Sequence, residues 1–293
     1  MKRNHLLSLL ILFVWLPSLG QVFYRVERPD LPAPSYLFGT HHLAPAAFLS
    51  QFKDLPEAME KTMAVVGEID MLQDQMAIAM KMQPYMAAPS DSTLSSLYTT
   101  EEFAVLNEKF KRYSPIPGLD LSAFNTMRPM VVTNMVSVGQ IQESIPDYNP
   151  AEQLDLLFQQ KYREADKKNI PLETPEQQGE LLFTFIPVKV QAETLKELLL
   201  DDSGKLQRQI KKLNDAYFSQ DLKELERITH EEEDDSGFME ALTTVRNHDW
   251  MTRLPGIMTE QPAMIVVGAL HLAGEEGLVN LLRQEGYTVT PLH

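Results

Sequence analysis

Two stretches far apart in the chain share one pattern. Residues 36–44, Tyr-Leu-Phe-Gly-Thr-His-His-Leu-Ala, and residues 264–273, Met-Ile-Val-Val-Gly-Ala-Leu-His-Leu-Ala, each pass from an apolar run through a glycine to a histidine three positions on. Chance placement of 13 Gly and 7 His in 293 residues gives fewer than one such spacing, and the chain has two. Two more apolar runs end in carboxylates: residues 63–66 lead into Gly67-Glu68-Ile69-Asp70, and residues 170–172 into Glu173-Thr174. Imidazoles and carboxylates bind divalent metals or exchange protons near neutral pH. Glu68, flanked by Val65, Val66 and Ile69, is costly in such a setting unless it is paired. Glu173 reads either as a site residue or as a favourable charge at the N-terminus of the helix that follows. His41 alternates to the opposite side from His42 and reads as its neighbour, while His5, His230, His248 and His293 lie outside these contexts.

A third segment, residues 243–254, carries Val245, Trp250, Met251 and Leu254 on one predicted helical face, with Arg246 and Asn247 beside it. Arg246 reads as a surface ion-pair partner or as an arginine that reaches the site to hold a developing oxyanion.

The elements that would position these groups are legible as alternating short and long patterns. Residues 35–38, 63–66, 170–172, 263–267 and 287–290 are predicted strands, brief and apolar as strands buried on both faces are. Helical spacing covers 56–62, 70–85, 100–113, 127–139 and 151–165. It resumes at Thr174, an N-cap followed by Pro175 and Gln177, continues in stretches to 237 and from 238 to 251, and ends in a helix closed by Gly286. Helical crossovers favour parallel pairing, so the expected fold is α/β (α+β), a mixed, largely parallel central sheet with a large helical portion at about 70–260. Ligands in such sheets bind at the carboxyl ends of the strands. His42, Glu68, Glu173 and His271 would therefore converge on one rim, with Gly39 and Gly268 supplying positive φ or a close backbone approach.

The formal net charge of −15 argues against nucleic acid or anionic lipid as partner, since both need a basic footprint. The chain has no cysteine, which excludes disulfides and zinc–thiolate sites. Lys2, Arg3, an apolar run at 6–16 and small residues before Gln21 form a signal-peptide pattern over residues 1–20, cleaved near Gly20–Gln21. Residues 21–293 are expected to be one domain, periplasmic or secreted and without a membrane anchor after cleavage. The methionines Met76, Met80, Met82 and Met86 read as helical core or a flexible apolar lid rather than copper ligands.

With these residues in place the chain resembles the TraB/GumN family, whose members include Tiki-type metalloproteases and pheromone-shutdown proteins. The resemblance rests on Gly39-Thr40-His41-His42, Glu68-Ile69-Asp70, Leu172-Glu173-Thr174-Pro175-Glu176-Gln177, Arg246-Asn247-His248-Asp249-Trp250 and Val267-Gly268-Ala269-Leu270-His271-Leu272-Ala273-Gly274, in that order. It implies a fold like erythromycin-esterase-like and ChaN-like proteins. It implies metal-dependent hydrolysis of a peptide bond, with His42, Glu68 and His271 as metal ligands for manganese or cobalt, zinc being a further option. Glu173 would then take a proton from the water or orient a ligand histidine, and Arg246 would hold the oxyanion. Two other readings are a metal-independent hydrolase in which His42 and Glu68 activate water directly, and a binding protein for haem, metal or peptide. The partner in each case is a peptide or small molecule.

Overall fold

The structure is a computed structural model that describes residues 21–293 apart from positions 115, 146–147 and 232–236; residues 1–20, read above as a signal peptide, and most of the acidic run after His230 lie outside the described residues. Among the described residues, six strands form one sheet: β1 (Phe23–Glu27), β2 (Ser35–Thr40), β3 (Ala64–Gly67), β4 (Lys168–Pro171), β5 (Ala263–Gly268) and β6 (Thr288–Pro291). Their order is β4-β3-β5-β2-β1-β6. β3 runs parallel to β4 and β5, and β2 parallel to β5; β1 pairs antiparallel with β2 and β6. The fold is therefore mixed α/β with a parallel centre, as the sequence predicts. No described helix is long and apolar enough to cross a membrane.

The parallel centre is buried because helices cover it. Leu37, Phe38, Val65, Val66 and Ile265 are 0% exposed and join one apolar cluster that also takes in Phe158 and Tyr162 of the helix Leu154–Glu164, and Trp250. Complete burial on both faces is the reason these strands read as uninterrupted apolar runs. A second cluster lies away from the sheet. It joins Leu106 and Phe110 of helix Thr100–Lys111, Val132 and Val136 of Pro129–Ser144, and Leu195 and Leu199 of Val188–Leu200. Met82 and Met86 pack in a small third cluster with Met130, Val131 and Phe183, whereas Met76 and Met80 face outward.

The structure departs from the sequence expectation in three places. β1 was not expected: Arg25 and Glu27 break its apolar character, yet it is closed between β2 and β6. Residues 70–74 are not helical, because Asp70 and Asp74 each accept from a backbone N–H two residues on and so hold turns before the helix Gln75–Met86 starts. The helix expected over 238–251 is broken at Thr243 (φ −121°, ψ −75°) into Phe238–Leu242 and Thr244–Met251. The capping box at Thr174 and Gln177 forms as read.

The glycines before the histidines do not adopt positive φ. Gly39 is needed for closeness instead: a Cβ there would lie 2.9 Å from Leu272 Cδ2 and 3.0 Å from the Ala269 backbone. The turn Ala269–Leu272, which carries His271, thus rests directly on β2. Gly39→Ala must displace that turn, at a cost of roughly 1–3 kcal/mol. Thermal denaturation should show a lowered Tm for Gly39→Ala, with Gly256→Ala, whose added Cβ meets nothing, as the control that stays near wild type.

Candidate active site

The register brings the four parallel strand ends to one level. Thr40 pairs with Gly268, Gly67 with Val266, and Gly67 with Pro171. Backbone pairing continues one step past β3 and β4, with Leu172 N–H donating to Gly67 O and Glu173 N–H to Glu68 O, both at 2.8 Å. Glu68 and Glu173 therefore leave the sheet side by side. Two carboxylates so placed repel unless a cation stands between them.

Arg246 is that cation. Its Nη2 donates to Glu68 Oε2 at 2.5 Å and to Glu173 Oε2 at 2.9 Å, and its Nε donates to Glu173 Oε1 at 2.7 Å. Nη1 donates to Leu242 O and to His271 Nε2, both at 3.1 Å, so every guanidinium N–H has an acceptor. The helix Thr244–Met251 sets this up by its periodicity. Trp250, one turn after Arg246, lies under the guanidinium at 4.7 Å from ring centroid to Cζ and donates Nε1–H to Glu173 Oε1 at 2.9 Å. Gln178 Nε2 donates to Glu173 Oε2 at 3.2 Å. Both oxygens of Glu173 are thus engaged, and it lies behind Arg246 rather than on the open cleft.

His271 is held from its other side. Asn247 Nδ2 donates to His271 O and to Glu276 O, which turns its Oδ1 to His271 Nδ1 at 2.7 Å. Since Arg246 only donates, His271 Nε2 accepts and Nδ1 carries the proton. Burial, with the guanidinium beside it, pushes the His271 pKa down to about 4 against the pull of Glu68. Burial opposes the charge on Glu68, but His271, Arg246 and the Gly268 N–H at 3.0 Å outweigh it and bring the carboxyl down to about 2. The two carboxylates hold Arg246 charged despite its burial.

The opposite wall is less tightly bonded. His41 turns its Nε2 to Asn214 Oδ1 at 2.7 Å and packs on Tyr217; burial lowers its pKa. His42 keeps a 69% exposed side chain, with Nδ1 3.6 Å from Asp155 Oδ2, and that carboxylate raises its pKa. Between the two walls lies a cleft of about 470 Å³ whose polar lining includes His42, Glu68, Asp155, Arg246 and His271, and whose apolar lining includes Leu181 and Leu182.

His42, Glu68, Arg246 and His271 thus share one cleft, as expected from the strand ends, and Glu173 stands one layer behind. Of the three side chains expected to hold a metal, Glu68 Oε1 and His271 Nε2 stand 3.9 Å apart. Glu68 Oε2 and His271 Nε2 each face the Arg246 guanidinium, and among the described residues no three His, Asp or Glu side chains could hold an ion together. Asp155, Gln178, Asn247 and the indole of Trp250 were not foreseen. Asp155 looks in sequence like an ordinary first-turn acid of an amphipathic helix, and Gln178 follows a capping box that already explains its neighbours. Only Asn247 and Trp250 carried a signal, their spacing from Arg246.

Two acid limbs of stability follow. His271 folds with its pKa depressed to about 4 from 6.5, so stability falls as pH drops from 6.5 through 4. Glu68 folds with its pKa depressed to about 2 from 4.5, so its contribution is full above 4.5 and is lost as pH falls towards 2. The His271 limb amounts to roughly 3 kcal/mol. Denaturant unfolding between pH 4 and 7 should show this slope in wild type and a flatter one in His271→Gln.

The model of the TraB/PrgY/gumN family matches residues 22–291, from the edge of β1 to the end of β6. A relative from Danio rerio described as Metalloprotease TIKI2 is 24% identical over 321 residues, an alignment that covers 93% of this chain. The chain spans 61% of the length of that relative. No solved structure matches. The family match covers all four strand ends and the helix of Arg246, the segments that build the charged floor of the cleft, and by it this chain belongs to the TraB/PrgY/gumN family.

Proposed function

We propose that this chain is a hydrolase that cleaves peptide bonds by activating water at His42. Family membership and the relative described as a metalloprotease support hydrolysis. The observation that carries the assignment is the difference between the groups facing the cleft. Glu68, at about 2, is a weak proton acceptor, and His271, at about 4, has its Nε2 already bonded to Arg246. His42 alone among these three is open to solvent with its basicity raised.

In this reading His42 takes a proton from water as the water oxygen bonds to the scissile carbonyl carbon. The carbonyl oxygen becomes an oxyanion. The C–N bond then breaks and the proton passes to the leaving amine. Arg246 serves the oxyanion through Nη1, whose present acceptors, Leu242 O and neutral His271, are uncharged. A developing negative oxygen outcompetes neutral acceptors for such a donor. Glu173 acts as a positioning residue: it fixes Nε and Nη2 so that only Nη1 is free to exchange partners.

A divalent ion would need His42, Glu68 and His271 around one centre, and as placed they do not fit one because the guanidinium occupies the Nε2 lone pair of His271 and one oxygen of Glu68. No step is therefore routed through a metal. For location, the apolar run after Lys2 and Arg3 supports export, with the mature chain acting outside the cytoplasm.

A panel of peptides provides the test. His42→Ala should lower kcat/KM by about 10²–10⁴-fold with little change in Tm, since the ring is exposed. For wild type, kcat/KM should rise with pH through an inflection above 6.5, because a base must be unprotonated to act. Activity should survive exhaustive chelation. Loss on chelation with recovery on added Mn²⁺ or Co²⁺ would overturn direct activation by His42 and return the site to a metal.

A further inference from the structure

Asp155 has no part in the steps above, and its position is costly. It is 9% exposed, in the first turn of the helix Leu154–Glu164. Thr40 Oγ1 donates to its Oδ1 at 2.7 Å, across 115 residues of sequence. Its Oδ2 is buried with no hydrogen-bond partner. Buried carboxylate oxygens left unpaired destabilise a fold, and an asparagine at the same place would keep the Thr40 bond without the charge. Gln159, one turn further along the helix and more deeply buried, shows the contrast: its amide bonds the backbone of both Met71 and Ile69 at 2.9 Å.

The surroundings of Oδ2 show what it faces. Tyr217 gives its hydroxyl proton to Gly39 O at 2.9 Å, and His41 is turned to Asn214. Neither competes for the free oxygen. His42 Nδ1 stands 3.6 Å away on a solvent-exposed ring, so a small rotation closes a hydrogen bond. Bonds between catalytic groups are often this long before substrate arrives.

We propose that Asp155, anchored by Thr40, is the positioning residue of His42: Oδ2 accepts the Nδ1 proton, which leaves Nε2 bare to take a proton from water. The inference rests on the reading of His42 as the base. A carboxylate behind an imidazole fixes the tautomer and favours the imidazolium that forms when the base is protonated. Thr40 ends β2 and Asp155 opens a helix packed on the sheet, so the pair ties the orientation of His42 to the rigid centre of the fold.

The test uses the full-length mature chain with ¹⁵N-labelled histidine, the His42 signals being assigned by their loss in His42→Gln. In wild type His42 should carry its proton on Nδ1. In Asp155→Asn the amide presents a donor to Nδ1, and the proton should move to Nε2. The same variant should lose about a hundredfold or more in kcat, with KM within about threefold and a Tm that does not fall. Thr40→Val should lose part of kcat and Thr40→Ser should recover it, which guards against a substitution at 155 that fails to fold. A wild-type His42 protonated on Nε2, or an Asp155→Asn variant with unchanged tautomer and kcat, would overturn the proposal. The tautomer is read whether or not any peptide is cleaved, so failure of the hydrolase reading and failure of the Asp155 assignment give different results.

Discussion

The rim of this sheet depends on one guanidinium between two carboxylates. The register of β3 and β4 leaves no freedom in the matter: the backbone bond from Glu173 to Glu68 fixes the two side chains as neighbours at a buried strand end. Without Arg246 one of them would have to be protonated or turned away, because like charges in a poorly solvated place do not coexist. With Arg246 present the pair becomes a frame. Three bonds to carboxylate oxygens fix the guanidinium plane, Trp250 supports its face, and the remaining nitrogen is delivered to the cleft beside His271. Breaking such a buried network by removing one partner leaves an unpaired charge, so its members are mutually dependent.

Tight packing places this frame relative to the sheet. Gly39 lets the Ala269–Leu272 turn sit on β2, and Gly67 leaves room for Gln159, whose Nε2 would lie 2.9 Å from a Cβ there. Asn247, itself held by Glu276 O, grips both the His271 carbonyl and the ring Nδ1, so the ring cannot swing away from Arg246 without also losing its bond to Asn247. The long helical stretches between β3 and β4, and between β4 and β5, return the chain to the rim with Asp155 in the first case and Gln178 and Arg246 in the second. Part of their stability comes from a cluster of their own, centred on Leu106, Phe110, Val132 and Leu195, which lies away from the site.

Much of this was legible before the structure. Five of the six strands could be read, the central β2, β3 and β5 because burial on both faces removes polar residues from them, and the charged groups just past the strand ends could be read because an imidazole or carboxylate following a buried apolar run is costly unless it is paired. β1 was hidden by Arg25 and Glu27, whose side chains pair with each other on a partly exposed face although the strand lies between β2 and β6. The glycines are instructive in another way: a glycine after a strand signals either positive φ or a near neighbour, sequence cannot tell which without the neighbour, and at Gly39 it is the neighbour. The metal triad illustrates the same limit. Residue types proper for ligands come to one rim, and Arg246, which sequence leaves open as a surface ion-pair partner or a site residue, stands among them with its nitrogens on Glu68 and His271. Asp155 was missed because its position opening a helix is where an acid is ordinary; only the absence of a partner on Oδ2 sets it apart, and that is a fact of three dimensions.

The carboxylates of the site differ in how far their hydrogen-bonding capacity is used. Glu173 has both oxygens doubly engaged by Arg246, Trp250 and Gln178. Glu68 has one oxygen on Arg246 and Gln178 and the other on the Gly268 N–H alone. Asp155 has one oxygen on Thr40 and one with no bond. A lone pair already bonded to a guanidinium is a poor acceptor for any further proton, so chemistry passes to the groups left incomplete. The saturated inner pair fixes geometry, and the unsaturated outer acid stands next to the one exposed imidazole of the cleft. Saturation costs reactivity and incompleteness costs stability; this protein separates the two by depth, with rigidity in the buried layer and unused capacity on the side that faces the cleft.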